Sequence, residues 1–253
     1  MKRKIKRAVA TGMSLAMGTV IMTSDVMVSP VMASQINGEK PYAVELYAAS
    51  NASYNGLYYS TSGSYATITG YDGQSTDIVI PDKIGSYTVN AIQYGAFKDN
   101  NKITSVKIPS TVTQIGNSYG SGAFENCANL KSVSIAAGAE TAYIGNATFK
   151  DCTSLEEITV PGNYTTIYSD AFRGCRSLKK FVYNDNGISR KIQNRAFYEC
   201  TSLVSLSLPT SLNSIGDEAF SGCSSLTAVD IPEGVKLIEY GVFNNCKLLK
   251  KVV

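Results

Sequence analysis

Residues Ala219 to Ile238 read AFSGCSSLTAVDIPEGVKLI, and the same pattern returns along most of the chain. Shifted upstream, it aligns phenylalanine at positions 97, 124, 149, 172, 197, 220 and 243, in steps of 27, 25, 23, 25, 23 and 23 residues. Six residues after each Phe stands an aliphatic: Ile103, Leu130, Leu155, Leu178, Leu203, Leu226 and Leu249. Three residues after each stands a cysteine, with Asn100 in that slot in the first copy. Self-similarity at this period is the signature of a solenoid, in which each unit buries its apolar face only against its neighbours. All six cysteines of the chain fall into this one register, which chance does not produce. The expected fold is a β-rich α/β solenoid wound as a right-handed superhelix.

Each copy divides into parts with separate physical reasons. Short apolar segments such as Val106–Ile108, Ile158–Val160 and Val229–Ile231 alternate as strands with one buried face do. Proline follows at 81, 109, 161, 209 and 232. It has no N–H to give a ladder, so it ends the strand and turns the chain. A second aliphatic pair follows, such as Val112/Ile115, and then a Gly/Asp/Asn-rich turn. The Ala-Phe step is expected on a short helical or 3₁₀ turn with Phe pointing inward. A Gly/Ser loop lengthens the first copy over Gly116–Gly122. Two-residue insertions fall near Ala137–Glu140 and Asp185–Ser189, and such insertions emerge as surface loops.

Around the repeats, the chain of 253 residues divides into four. Residues 1–33 read as an export signal: a KRKIKR head, an apolar run from Ala8 to Met22, and small residues at Val31-Met32-Ala33 before cleavage. Residues 34–56 are polar and without period, and read as a linker. Residues 57–76, with LYYSTSGSYATITGY, read as a β-hairpin capping the open end of the stack. Residues 77–253 hold about seven repeats of 23–27 residues. The sequence stops at Val253 inside what the pattern makes another strand. That end is therefore expected to be a truncation, or to be covered by a partner or by self-association.

The pattern AFxxCxxLxx(V/I)x(I/L)Pxx(V/L)xxI resembles the BspA-type leucine-rich repeat family. The opening DIVIP, IGSYTVNAI and YGAF resembles the way such domains begin, so the likeness covers about residues 57–253. It implies a leucine-rich-repeat solenoid in a secreted or surface-attached protein of bacteria or some protists. The family is linked to adhesion, host-matrix binding and aggregation between cells. No sorting motif, cell-wall module or hydrophobic tail is visible. Soluble secretion, or further sequence beyond Val253, is therefore expected beside surface attachment.

Charge and composition exclude several chemistries. The 23 basic residues crowd at the start, where residues 1–33 hold five of them against Asp25. The remainder carries 18 basic and 19 acidic residues, a near-neutral body with no stripe for nucleic acid. No histidine occurs, which removes imidazole acid–base work, Ser-His and Cys-His catalysis and every His-containing metal site. The cysteines follow the repeat and should stack as an internal ladder with side chains pointing in parallel, so reduced core thiols are expected rather than disulfides. Asp72-Gly73 with Asp77, and Asn184-Asp185-Asn186-Gly187, resemble oxygen-rich calcium loops only in part and read as turns. No cofactor, metal or catalytic group is expected, and no membrane insertion once the signal is cleaved. An enzyme with an unseen hydrolytic site is the weakest alternative.

The outward positions of the stacked strands are the candidate site. Alternation places Val79, Lys107, Ser134, Thr159, Val182, Ser207 and Asp230 in one row, flanked by Ser105, Ser132, Glu157, Lys180, Ser205 and Ala228. Extended solenoid faces of this kind bind partners. The expectation is a non-enzymatic protein-interaction or adhesion module for a protein or glycoprotein on host or neighbouring cells. The alternative is an architectural, self-associating surface scaffold. Sixteen tyrosines and no tryptophan, with six tyrosines between Tyr42 and Tyr65, mark the hairpin as packed by amphipathic rings or as a second contact surface.

Overall fold

Each 23- to 27-residue copy closes one turn of a β-solenoid. A computed structural model describes residues 52–253. The export signal and residues 34–51 of the linker lie outside the described residues. A coil runs through a front strand, a corner, a rear strand and a turn segment carrying the Ala-Phe step.

Six front strands pair in parallel: Asp77–Val79, Ser105–Ile108, Ser132–Ile135, Glu157–Val160, Lys180–Tyr183 and Ser205–Ser207. Two more, Ala228–Val229 and Lys251–Val252, pair with each other beyond them. That makes eight front strands, because one precedes the first Phe and one follows the last. The rear sheet runs from Tyr87–Ile92 through Gln114–Ile115, Ala142–Ile144, Tyr164–Ile167 and Arg190–Ile192 to Leu212–Ile215. One coil brings its isoleucine beside the next, as in Ile92↔Ile115 and Ile167↔Ile192. These side chains are buried and form one continuous core with the front strands' inward residues.

The N-terminal stretch forms an antiparallel ribbon of three strands, Ala52–Tyr54, Leu57–Ser62 and Tyr65–Tyr71. Its last strand joins the rear sheet in parallel with Tyr87–Ile92. Ala52–Gly56, assigned from sequence to the linker, thus belongs to the ribbon. The overlooked signal is Asn55-Gly56: both residues have positive φ (49° and 79°), as a two-residue hairpin turn demands. The Tyr71 ring lies 5.8 Å from that of Phe97, the first of the repeated phenylalanines.

No helix occurs among the described residues, so the helical or 3₁₀ turns expected at the Ala-Phe step are absent there. The hydrogen bonds give the reason. Arg173 and Cys175 donate N–H within their own coil, to the carbonyls of Asp170 and Phe172 (3.0 and 3.1 Å). Phe172 and Gly174 between them donate to the next coil, to the carbonyls of Ala196 and Tyr198 (both 2.8 Å). With alternate donors used between coils, no continuous helical ladder can form. The alternation needs left-handed backbone on either side of the Phe, seen at Asp170 (φ 56°) and Gly174 (φ 71°). The position two after Phe is accordingly Asp, Asn, Asp, Gly, Glu, Gly and Asn in the seven copies, mostly residues that tolerate this region.

The phenylalanines stack along the axis with centroids 4.7–5.8 Å apart and planes within 16° of parallel. All are buried except the half-buried Phe243. The cysteines beside them are free thiols. Each Sγ donates to the carbonyl of the Phe one coil earlier: Cys127 to Phe97, Cys152 to Phe124 and Cys175 to Phe149, all at 3.1 Å. Cys200, Cys223 and Cys246 continue the series at 3.1, 3.3 and 3.2 Å. Burial raises these thiols, Cys127 to about 12, so they stay protonated and able to donate. Asn100, which has no coil of this kind before it, instead accepts from the N–H of Lys102 within its own turn (2.9 Å).

Candidate interaction surface

The front sheet sets two rows of side chains outward, and its pairing fixes their order. Val79 sits opposite Lys107, and Lys107 opposite Ser134. Thr159 faces Val182, and Val182 faces Ser207. All are exposed except the half-buried Val182. The neighbouring row runs Asp77, Ser105, Ser132, Glu157, Lys180 and Ser205, each beside the next. Ala228 and Lys251 pair in the short sheet beyond. The alternation read from sequence therefore assembles these side chains on one face. Asp230 is exposed but lies past the end of its strand at Val229.

The sequence reading missed three contributors: Asp77, Glu156 and Lys179. Asp77 starts the second row, and its carboxylate accepts from the hydroxyls of Ser105, Thr76 and Thr104. The Ser105 bond leads in holding it below the usual carboxylate range. Glu156 immediately precedes its strand and is exposed, as Glu157 is. Lys179 Nζ donates to Glu156 at 2.9 Å, while Glu157 sits beside Lys180. The centre of the face is thus two acids against two bases from adjacent coils. Such exposed pairs add little stability, on the order of 0–1 kcal/mol, but they leave the face polar and without a dominant sign.

Both calcium-like stretches are turns. Asp72 accepts from the N–H of Gln74 at 3.0 Å. Asp185 accepts from the N–H of Gly187 (2.9 Å) and from the hydroxyls of Thr210 and Ser211 (2.6 and 2.7 Å). These donors, led by Ser211, hold its carboxyl well below the usual range. The oxygens of this loop converge on a cation belonging to the chain. Arg190 has a fully buried side chain and donates to Asp185 (3.1 Å), the Ile188 carbonyl (2.5 Å), Asn186, Ser211 and the Gly162 carbonyl. Its guanidinium also lies 5.4 Å from the centre of the Tyr183 ring. Among the described residues, no cluster of three or more metal-ligating side chains occurs.

Comparison with known proteins agrees with this architecture. The pattern of the BspA type leucine rich repeat region matches in six copies, over residues 71–190 and 185–253. A leucine-rich repeat protein from Bacteroides ovatus is similar at 29% identity with a TM-score of 0.66, over 80% of this chain and 53% of its own. The chain thus spans about half the length of that structure. The leucine-rich repeat protein of T. pallidum is similar at 26% identity with a TM-score of 0.55, over 80% of this chain and 81% of its own. No curated protein matches.

Proposed function

Because this chain belongs to the BspA-type leucine-rich repeat family, we propose that it is a secreted or cell-surface protein-interaction module acting in adhesion. The observation that carries the reading is the continuous front face, on which Lys107, Ser134, Thr159, Val182 and Ser207 stand outward in register beside Glu157 and Lys180. A flat polar sheet with interspersed charges suits a protein or glycoprotein surface, where polar contacts set specificity and steer approach. Asp230 extends the face at its far end. The role is binding rather than catalysis: the chain has no histidine, and the hydroxyl of Ser105 on this face meets only Asp77, a carboxylate held below its usual range and so a weak base. The Tyr-rich ribbon is the cap of the stack, its Tyr71 covering the first Phe.

The test is a cross-linking pull-down from host-matrix and bacterial-surface extracts. It compares the parent with a folded variant carrying Lys107→Glu, Thr159→Lys, Ser207→Lys and Asp230→Lys. A partner captured by the parent and lost by the variant supports the reading. A partner retained by both moves the site elsewhere.

A second reading, self-association, rests on a different observation. In the last coil Ile238 and Val252 are 45% and 51% exposed, whereas the equivalent Ile215 and Val229 one coil earlier are buried. Light scattering at rising concentration separates the two readings. A mass that stays monomeric rejects self-association.

A further inference from the structure

The turn segments build a second surface, separate from the front face. The residue three before Phe is Asn146, Ser169, Asn194, Asp217 and Tyr240 in successive coils. The carbonyls of the last four accept from the coil before: Ala147 N–H to Ser169 (2.9 Å), Asp170 to Asn194 (3.1 Å), Arg195 to Asp217 (2.9 Å) and Glu218 to Tyr240 (2.8 Å). All four donors have positive φ, between 50° and 56°. These carbonyls are consumed along the stack, and two cavities of about 280 and 460 Å³ open over the column, meeting at Asp170.

The lining narrows the ligand class. Its charges sum to zero over the two cavities, four bases against four acids, and all but Asp217 are paired in place. Glu125 lies between Lys98 and Lys150 (3.1 and 2.9 Å), Asp170 beside Arg173 (3.4 Å), and Glu218 beside Arg195 (2.6 Å). Burial pushes the Glu125 carboxyl up, but the two lysines outweigh it and hold it ionised. A balanced lining has no net field to attract a polyanion. An apolar ligand would meet the Tyr240 ring alone among the polar and charged side chains of the second cavity. An extended peptide recognised by strand addition needs free backbone acceptors as well as donors, and the carbonyls of Ser169, Asn194, Asp217 and Tyr240 are used between coils. What remains is a run of amide, hydroxyl and carboxylate groups, ending at Tyr240 with 78% of its surface exposed.

We propose that this trough binds a neutral, extended oligosaccharide lying along the stack, with hydroxyls on Ser169 and Asn194 and one pyranose face on the Tyr240 ring. Amide side chains offer a donor and an acceptor side by side, as vicinal hydroxyls require. A tyrosine ring presents an apolar face with a polar tip. Coils repeat at about 4.8 Å, close to the length of one extended hexopyranose unit, so successive sugars meet successive coils. The proposal does not rest on the front-face reading, and either can fail alone.

The experiment is calorimetric titration of the full chain with cellohexaose, maltohexaose and chitohexaose, with a heparin hexasaccharide as the anionic control. Saturable binding of at least one neutral hexaose is expected. Tyr240→Ala and Asn194→Ala, both at exposed positions, should each weaken it about tenfold while leaving the thermal midpoint unchanged. Absence of saturable heat from all three neutral hexaoses at millimolar concentration would overturn the proposal. So would binding of the heparin fragment alone, or neutral-hexaose affinity unchanged in the double variant.

Discussion

The segment around each Phe and the corner between front and rear strands are both places where a coil turns, yet they are built on opposite principles. At the Phe segment the same atoms recur from coil to coil: a stacked ring, a thiol donating to the preceding Phe carbonyl, and alternate N–H groups donating onward. At the corner, five copies have proline, while Ala136 and Asn184 stand in its place where the chain is lengthened. There the polar groups are particular to one coil. Asn163 holds the first loop through Gly138 and Glu140 (3.3 and 3.0 Å), and Arg190 holds the second. Tyr164 and Tyr183 carry hydroxyls into the core, bonded to the carbonyls of Val112 and Tyr164 (3.0 and 2.8 Å). The repeated segment supplies cohesion that every coil shares, whereas the corner supplies features that a single coil can change.

That contrast can be broken in order of expected effect. The largest effect is collective and comes from pH. Burial raises Cys127 from 9.0 to about 12 and raises Cys152, Cys175, Cys200 and Cys223 as well. Because the folded values lie above the unfolded ones, this stability is fully present below about pH 9. It is lost as pH rises toward 12, where unfolded thiols ionise and folded ones do not. Tyr164 and Tyr183, also raised by burial, add to the loss above about pH 10. Each pK unit of each thiol corresponds to about 1.4 kcal/mol, so the summed effect should exceed that of any one substitution. Thermal midpoints between pH 7 and 11 by circular dichroism should fall steeply above 9. A flat profile would mean that the thiols are not sealed in the core.

Next, Phe172→Ala should cost about 3–5 kcal/mol in chemical denaturation, since Phe172 is fully buried and stacked on Phe149 and Phe197. A loss under 1 kcal/mol would mean that the ring stack is not the cohesive element. At the corner, Arg190→Met should cost about 1–3 kcal/mol by removing the cation paired with Asp185 and the guanidinium donor to the Gly162 carbonyl. Its local effect should appear as faster hydrogen exchange over 184–189 rather than along the Phe segments. Uniformly faster exchange would make the corner part of the shared cohesion and erase the contrast. Smallest is Thr159→Lys on the exposed front face, expected within about 0.5 kcal/mol of the parent. A larger loss would mean that this face is needed for folding and not free for a partner.

How much of this is legible in the sequence follows from range. The Phe, Cys and Leu columns could be read because their cause is local and repeated, and seven copies of one signal amplify it. The outward row from Val79 to Ser207 followed from strand alternation, a two-residue period needing no knowledge of the neighbour. The Asn55-Gly56 turn was equally readable but lay in a polar stretch with no period to draw the eye. The absence of helix at the Ala-Phe step was not readable in the same way. Its cause is an N–H such as that of Phe172 choosing the carbonyl of the next coil over its own, and that competition exists only once coils are stacked.

By itself, then, the sequence determined the coil period, the core columns, the reduced state of the thiols and which strand residues look outward, because repetition and alternation are properties of the chain. Only the tertiary structure decided what each buried polar group bonds to. It set each thiol on a Phe carbonyl, filled the oxygen-rich 184–188 loop with the Arg190 guanidinium, and gathered side chains from successive coils into the trough ending at Tyr240. Arg190 is near its loop in sequence, but its bonds to Ser211 and Gly162, like those of each thiol to a Phe carbonyl, span about a full coil, and stacking alone brings such partners within reach of a hydrogen bond.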